Sequence, residues 1–395
     1  MGFLMVMLLV LFYISFCPKT ASANTFDVTS YGAIGDGDTD DTDAFVRAWG
    51  DLCADSSLDP TLIIPPEKTF LIRCVKFTGP CQFSSVHFKL LGDISAPKTI
   101  AGWKGCNYNG YLMYFTSVHG LVMEGPGQLD GQGSIWWRDD YEMLRFESCD
   151  ELRLKGTRHV NGPKRHISVR HCDGVDLGDL YISAPEHSPN TDGIDINWSS
   201  HVNIHDSVIE SGDDCIAISS GTYDINITGI TCGPGHGISI GSLGRNGAHS
   251  TVEQVLVQNC NITATQNGLR IKTSPHGSGY ARSIVFEDIN LINVKNPIII
   301  DQHYCIEDKN SYCPAPPSAS AVKVSDVRYQ NIHGSSASKQ AITINCAARW
   351  NCTEIVMNDV GITGEGVFAH CENASGDFGD TTPEVNCSPA VRTSK

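Results

Sequence analysis

The chain has 395 residues, with 28 basic and 44 acidic side chains and a formal net charge of −16. This length fits one large domain or two of medium size. The acidic balance argues against nucleic-acid binding, because phosphate recognition needs clusters of Lys and Arg, and any acidic ligand would depend on a few local cations.

The N-terminal segment has the pattern of a secretory leader. An apolar run from Phe3 to Phe16 precedes the small residues Ala21-Ser22-Ala23, although the usual basic start is missing. We predict a signal peptide over residues 1–23. A membrane anchor is the alternative, but a transmembrane helix needs about 20 apolar residues and this run is shorter. We expect one domain over residues 24–395, with no membrane segment.

Cysteine usage fits an oxidising compartment. The chain has 16 cysteines, and loss of Cys17 with the leader would leave an odd number, which predicts at least one free thiol. The CxxC spacings typical of zinc sites do not occur in the sequence. Six sequons permit N-glycosylation: Asn197, Asn226, Asn261, Asn351, Asn373 and Asn386.

Short strands that repeat dominate the sequence. One helix is predicted over residues 41–52, where acidic residues precede apolar ones. The rest alternates Val/Ile-rich strands with Gly, Asn, Asp and Ser. Six strands align at steps of 22, 22, 31, 29 and 44 residues, in which the longer steps are the same repeat with loop insertions. The aligned segments are 193–196, 215–218, 237–240, 268–271, 297–300 and 341–344.

This repeat predicts an all-β fold, a parallel β-helix with a short N-terminal capping helix. A period in the low twenties is typical of solenoids, and the leucine pattern of leucine-rich repeats is missing. A β-sandwich, the competing all-β fold, would not explain a fixed repeat in which similar residues recur at the same position of each strand. The aliphatic residues should stack inside, and the alternate residues Asp195, Ala217, Ser239 and Arg270 should face outward.

The alignment also superimposes chemically active residues. Asp192, Asp214 and His236 each immediately precede an aligned strand, and Asp213 is adjacent to Asp214. Neighbouring rungs of a β-helix are separated by about 4.8 Å, so these groups should converge. Glycosidic cleavage commonly uses a pair of carboxyl groups, and crowding raises the pKa of one of them.

Two cations should join this cluster. Arg270 and Lys272 are two residues apart on the next aligned strand, so both leave the same face. Arg can pair with a carboxylate through two bonds, and Lys supplies a point charge. Each segment by itself could be an ordinary turn or solvated face. Their coincidence on neighbouring rungs favours a site for an acidic sugar.

Four segments resemble, in order and spacing, the motifs of the polygalacturonases, the pectinases of glycoside hydrolase family 28. The segments are Asn190-Thr191-Asp192, Gly212-Asp213-Asp214, Gly235-His236-Gly237 and Arg270-Ile271-Lys272. The resemblance covers nearly the whole mature chain and is closest to plant members. It implies a single-stranded right-handed parallel β-helix of the pectin lyase-like type, secreted to the cell wall.

The resemblance also implies an activity and residue roles. The reaction would be hydrolysis of α-1,4-linked galacturonic acid with inversion, and no metal or cofactor would be needed. Asp213 would be the general acid, assisted by His236, while Asp192 and Asp214 hold the attacking water. Stacking alone gives Asp192 and Asp214 a spacing closer to that of retaining enzymes, and we follow the resemblance in expecting inversion. The remaining implied residues are Asn190, Arg270, Lys272 and Tyr304 for substrate, and Cys215 with Cys232 as a disulfide.

Several alternatives remain open at the level of sequence. Asp195 stands where relatives often have His, and Ser274 where many plant members have Trp, which leaves subsite preference open. We expect endo attack on de-esterified pectin by a monomer, with wall inhibitor proteins as candidate partners. Exo attack and a catalytically silent pectin-binding protein are the alternatives. A calcium-dependent pectate lyase and a rhamnogalacturonan hydrolase are rival enzymes.

Overall fold

The structure is a computed structural model that describes residues 24–103, 106, 110–137, 141–305 and 321–388. The predicted signal peptide, residues 1–23, lies outside the described residues. No helix in the described ranges is long and apolar enough to cross a membrane.

Short strands make up most of the described chain. In chain order they are β1 (Thr25–Asp27), β2 (Asp36–Asp40), β3 (Thr61–Ile64), β4 (Thr69–Leu71), β5 (Val75–Thr78), β6 (Val86–Leu90), β7 (Asp93–Ser95), β8 (Tyr111–Thr116), β9 (Leu121–Glu124), β10 (Gln128–Asp130), β11 (Glu142–Glu147), β12 (Leu152–Lys155), β13 (Arg158–Val160), β14 (Ile167–Arg170), β15 (Asp173–Gly178), β16 (Tyr181–Ser183), β17 (Ile194–Asn197), β18 (Ser200–His205), β19 (Val208–Glu210), β20 (Ile216–Ile218), β21 (Thr222–Thr228), β22 (Thr231–Cys232), β23 (Ile238–Leu243), β24 (His249–Thr263), β25 (Asn267–Thr273), β26 (Ser278–Val294), β27 (Asn296–Asp301), β28 (Lys323–Ser336), β29 (Gln340–Asn345), β30 (Cys352–Thr363), β31 (Phe368–Glu372), β32 (Ala374–Asp377), β33 (Thr381–Thr382) and β34 (Cys387–Ser388).

The strands stack in parallel, as the repeat predicts. One sheet runs in the order β5-β8-β11-β14-β17-β20-β23-β25-β27-β29-β31-β34. The long strands β24, β26, β28 and β30 pair in parallel within the other sheet. The chain therefore coils as a right-handed parallel β-helix, and the predicted fold class is confirmed.

The register of the first sheet agrees with the sequence alignment. Ile194 pairs with Ile216, which pairs with Ile238, and the series continues through Leu269, Ile298 and Ile342. These aliphatic side chains are fully buried. Burying each one stabilises the fold by about 1.5–3 kcal/mol, and a slip of one residue would turn them outward. The core therefore fixes which residues face the other side of this sheet.

One α-helix, α1, begins at Thr42 and ends at Ala54, close to its predicted range. Its apolar residues recur at intervals of three and four and are buried on one face. Phe45 packs on Phe70 at 5.7 Å between ring centroids, and Trp49 packs on Phe77 at 5.0 Å. The helix thus contacts the N-terminal end of the core. Short 3₁₀ helices span Val28–Tyr31, Ile100–Trp103, Gly133–Ile135 and Arg245–Gly247.

Disulfides support the N-terminal, central and C-terminal parts of the coil. They join Cys53 to Cys81, Cys74 to Cys106, Cys215 to Cys232, Cys346 to Cys352, and Cys371 to Cys387. Among the described residues, three buried cysteines form no disulfide: Cys149, Cys172 and Cys260.

Candidate active site

The acidic motifs lie on turns that enter neighbouring strands of the first sheet. Gly193 N donates to Asp214 O at 2.9 Å, and Cys215 N donates to Gly237 O at 2.8 Å. His236 N donates to Asp213 O at 2.7 Å. These backbone bonds stack the turns before β17, β20 and β23, so the three segments converge.

Two positions in these turns require particular residues. A Cβ atom at Gly212 would lie 2.1 Å from the carbonyl oxygen of Ser188, so a larger residue cannot occupy this position without a shift. Asn190 has a φ of 57°, a left-handed conformation that Asn tolerates better than most residues. Both residues shape the turns that present the acids.

Asp214 is held by two cations and one hydroxyl group. Its Oδ1 accepts hydrogen bonds from Arg270 Nη2 at 2.6 Å and from Ser239 Oγ at 2.8 Å. Its Oδ2 accepts from Lys272 Nζ at 2.8 Å. Asp214 is 1 % exposed. Since breaking a buried charge pair leaves an uncompensated charge, this network fixes the carboxylate in one geometry.

Asp213 contacts His236 and is more exposed than Asp214. Its Oδ1 lies 2.8 Å from His236 Nδ1, and the Asp213 side chain is 25 % exposed. Burial alone would raise the pKa of Asp213, but His236 and Lys272 outweigh it and hold this pKa below its usual value.

Asp192 has the opposite electrostatic environment. Burial raises the pKa of Asp192 well above its usual value, and the negative charges of Asp195, Asp213 and Asp214 add to this effect. Arg165 acts in the other direction. No hydrogen bond from another described residue reaches the Asp192 carboxyl group. In the free protein, protonation is therefore favoured on Asp192 over Asp213.

A buried histidine supports the backbone of Asp192. His166 Nδ1 donates to Asp192 O at 3.0 Å, and His166 Nε2 accepts from Gly162 N at 3.1 Å. This arrangement requires the neutral ring, because the imidazolium has no acceptor. Burial lowers the pKa of His166 to about 4. Burial also lowers the pKa of the neighbouring His159 to about 3, and the charge of His166 adds to this shift.

These two histidines predict acid lability. Their folded pKa values lie below the unfolded value of about 6.5, so their stabilisation is complete above pH 6.5 and is lost as pH falls towards 4 and 3. Between pH 6.5 and its folded pKa, each of these two histidines should lower the free energy of unfolding by about 1.4 kcal/mol per pH unit as the pH falls. In denaturant titrations at pH 7 and pH 4.5, His159→Gln should reduce this pH dependence. The exposed control His201→Gln should not reduce it, and an unchanged dependence in His159→Gln would contradict the assignment.

A groove of about 450 Å³ opens beside the acids on the outer face of the first sheet. Six predicted site residues line it: Asn190, Asp192, Asp213, Asp214, Lys272 and Tyr304. Lys272 Nζ lies 5.4 Å from the Tyr304 ring centroid, within range of a cation–π contact. Arg270 and His236 adjoin the groove through Asp214 and Asp213. The structure therefore brings all the predicted polar site residues together.

Some residues of this groove were not predicted from the sequence. Arg165 lines it, and Asp195, noted only as a departure from relatives, lines it as well. Ser239 was placed on the outward row without a role, and its hydroxyl group also accepts from Arg270 Nε at 3.0 Å. Extending the strand alignment one repeat towards the N-terminus, to Ile167-Ser168-Val169, would have located Arg165.

The acids could also be considered as metal ligands. Ligand-type atoms of Asp213, Asp214 and His236 lie within 4.8 Å of one another. Both oxygens of Asp214 already accept bonds from cations, Arg270 on Oδ1 and Lys272 on Oδ2. A metal ion here would be repelled by these cations, so the arrangement fits a carboxylate–cation network better than a metal centre.

The sequence of this chain matches a known enzyme family over most of its length. The pattern of the Glycosyl hydrolases family 28 matches residues 53–387. The chain belongs to glycosyl hydrolase family 28. Family 28 relatives include a probable polygalacturonase of Arabidopsis thaliana, 46 % identical over 95 % of this chain and 83 % of the relative. A polygalacturonase of Persea americana is 41 % identical over 88 % of this chain and 76 % of the relative.

Solved structures agree on the fold. A polygalacturonase from Erwinia carotovora superposes with a TM-score of 0.73 at 21 % identity, covering 91 % of this chain and 98 % of that chain. An endo-xylogalacturonan hydrolase from Aspergillus tubingensis gives a TM-score of 0.75 at 21 % identity, covering 93 % and 99 %. This family 28 chain is therefore a glycoside hydrolase with the β-helical fold.

Proposed function

We propose that this protein is a polygalacturonase that hydrolyses the α-1,4-galacturonosyl linkages of de-esterified pectin with inversion, by endo attack. The observation that carries this proposal is a groove at which the three motif acids, Asp192, Asp213 and Asp214, meet His236, Arg270 and Lys272. Carboxyl pairs supply the acid and base of glycosidic hydrolysis, and the cations suit a substrate with a carboxylate on each sugar.

In this proposal Asp213 protonates the leaving oxygen. Its position at the groove surface and its bond to His236 support the role. The low pKa of Asp213 in the free protein opposes it, because a general acid must carry a proton. A substrate carboxylate that pairs with Lys272 would neutralise one of the charges responsible. The pKa of Asp213 would then rise when substrate binds.

Asp192 and Asp214 hold the attacking water. Asp214 is fixed by Arg270, Lys272 and Ser239, whereas the Asp192 carboxyl group faces the groove. A guanidinium has five N–H donors and an ammonium has three, so Asp214 does not use all the donors of Arg270 and Lys272. Substrate carboxylates bind the remaining donors. Asn190 and Tyr304 complete this binding surface.

The cluster predicts a bell-shaped pH profile with a mildly acidic optimum. At the optimum the cluster of carboxyl groups carries one proton. At lower pH a second proton binds and inactivates the general base, and at higher pH the cluster loses its only proton and with it the general acid. Because Asp195 raises the pKa of Asp192, Asp195→Asn should move the alkaline limb to lower pH. The check is kcat/KM on polygalacturonic acid from pH 3 to 8. A flat profile from pH 4 to 8 would contradict the mechanism.

Endo attack requires a surface that extends beyond the cleavage point in both directions. The first sheet continues from the groove through β11 and β8 on one side and through β29 and β31 on the other. A polymer could therefore lie across it. Endo attack should lower the viscosity of polygalacturonic acid early, before many reducing ends appear. Release of monomer alone from chain ends would favour exo attack instead.

The setting in which the enzyme would act also belongs to this proposal. We infer secretion to the cell wall after removal of residues 1–23, a single catalytic domain over residues 24–395, and action on wall pectin. The disulfides support an oxidising compartment. Mass spectrometry of the secreted protein would locate the mature N-terminus, and light scattering would test the expected monomer.

A further inference from the structure

We propose that Arg165 binds the carboxylate of the sugar on the opposite side of the scissile bond from Arg270 and Lys272, and that Asp195 and Glu142 hold its guanidinium in position. This inference rests on the galacturonan-cleaving function proposed above and assigns a further specificity residue to the same groove.

Arg165 lies at one end of the acidic cluster, opposite Lys272. It precedes His166, whose backbone N donates to Asp192 O at 2.9 Å, so Arg165 lies one rung before the acids. Lys272 lies on β25, on the other side of them. Both cations line the same groove, with Asp192, Asp213 and Asp214 between them. A chain bound across these acids therefore meets a positive charge on each side.

Two carboxylates hold the guanidinium of Arg165. Arg165 Nε contacts Asp195 Oδ2, and Nη1 lies 2.9 Å from Glu142 Oε1. The Arg165 side chain is 32 % exposed, so it is anchored but still reaches solvent. A guanidinium has donors on three nitrogens, and these contacts engage Nε and Nη1. Nη2 remains to bind a ligand carboxylate.

Asp195, which holds Arg165, has a second carboxylate oxygen whose acceptor capacity is not used. Asp195 Oδ1 is buried and has no hydrogen-bond partner among the described residues. Buried polar atoms are usually satisfied, and leaving one unpaired is costly. Asp195 also lines the groove, so a hydroxyl group of the same bound sugar could donate to it. Arg165 and Asp195 together thus match the carboxylate and hydroxyl groups of a galacturonic acid unit.

Electrostatics explain why this position needs a cation. The neighbouring groove residues Asp192, Asp195 and Asp213 are all acidic. Arg165 supplies a positive charge beside these three carboxylates, where a negatively charged sugar would otherwise be repelled. Asp195 and Glu142 offset part of the charge of Arg165, so its attraction acts through direct contact rather than through a long-range field.

The test measures binding separately from turnover. Trigalacturonic acid and its fully methyl-esterified form are titrated by calorimetry into the Asp213→Asn protein, alone and with added substitutions. Arg165→Gln should raise the Kd of trigalacturonic acid by about tenfold or more, the usual scale for a charged hydrogen bond, and leave that of the ester unchanged. Arg165→Lys should give an intermediate loss. The matched control is Arg282→Gln, which breaks an Arg–Glu253 pair away from the groove.

The outcomes separate the explanations. An unchanged Kd for trigalacturonic acid in Arg165→Gln would overturn the inference, and so would an equal loss for both trimers, which would indicate a structural role. Arg165→Gln could fail to fold because Asp195 is left unpaired. In that case the double variant Arg165→Gln/Asp195→Asn, which removes both charges, takes the place of Arg165→Gln in the titrations. Failure of the proposed function would look different: the Asp213→Asn parent would not bind trigalacturonic acid, and the wild type would release no reducing ends.

Discussion

Asp213→Asn should lower kcat on polygalacturonic acid by about 10²–10⁴-fold, the range that a positioned proton donor supplies. The amide keeps the shape of the side chain but has no labile proton to give to the leaving oxygen. Binding should be largely intact, because the proposed function assigns substrate binding to Arg270 and Lys272 and not to Asp213. Initial rates of reducing-end release, together with calorimetric binding, provide the measurement.

The matched control for this variant is Asp173→Asn. Asp173 also contacts a histidine, since its Oδ1 lies 2.5 Å from His201 Nδ1, but this pair is exposed and does not line the groove. Asp173→Asn should turn over normally. Asp192→Asn provides a further comparison, because Asp192 is the acid whose pKa is raised in the free protein. Near-normal turnover by Asp213→Asn would remove Asp213 from the acid role.

Lys272→Asn should lower kcat/KM on polygalacturonic acid by about 10–100-fold, the scale of one hydrogen bond between charged groups. Whole-molecule electrostatics cannot assist binding, because the protein carries a net charge of −16 and the substrate is a polyanion. Recognition therefore depends on short contacts. Lys272 also bonds to Asp214, so part of the loss should appear in kcat through a less well positioned carboxylate.

Substrate esterification separates the two effects of Lys272, recognition of the substrate carboxylate and positioning of Asp214. Highly methyl-esterified pectin has few carboxylates to bind, so the wild type should strongly prefer de-esterified substrate, and Lys272→Asn should narrow that preference. The control is Lys89→Asn, which breaks a Lys–carboxylate pair of the same 2.8 Å length to Glu124, outside the groove. If the ratio of kcat/KM values on the two substrates does not change in Lys272→Asn, Lys272 does not recognise the carboxylate.

Much of the fold could be predicted because the repeat is local and regular. The aligned Ile-x-Ile segments fix both the stacking of strands and the face on which Asp195, Ser239 and Arg270 emerge. From that register the convergence of Asp192, Asp214 and His236 follows without any knowledge of side-chain positions.

The pairing within the site could not be predicted in the same way. Charge and spacing predict that Arg270 and Lys272 lie near a substrate, but only the structure shows that both bond to Asp214 in the free protein. Similarly, Arg165 lies before its strand rather than within the aligned segment, and its partners Glu142 and Asp195 come from two other rungs. Such contacts depend on side-chain reach across rungs, which the repeat does not encode.

The most direct test of the account is to identify the products that the purified protein forms from polygalacturonic acid. We expect new reducing ends, no gain of ultraviolet absorbance from unsaturated sugars, no loss of rate with a chelator, and a rate about 10²–10⁴-fold lower in Asp213→Asn. Unsaturated products formed in a chelator-sensitive reaction would instead indicate a lyase. A wild-type protein that binds the polymer but releases no reducing ends would contradict the account altogether.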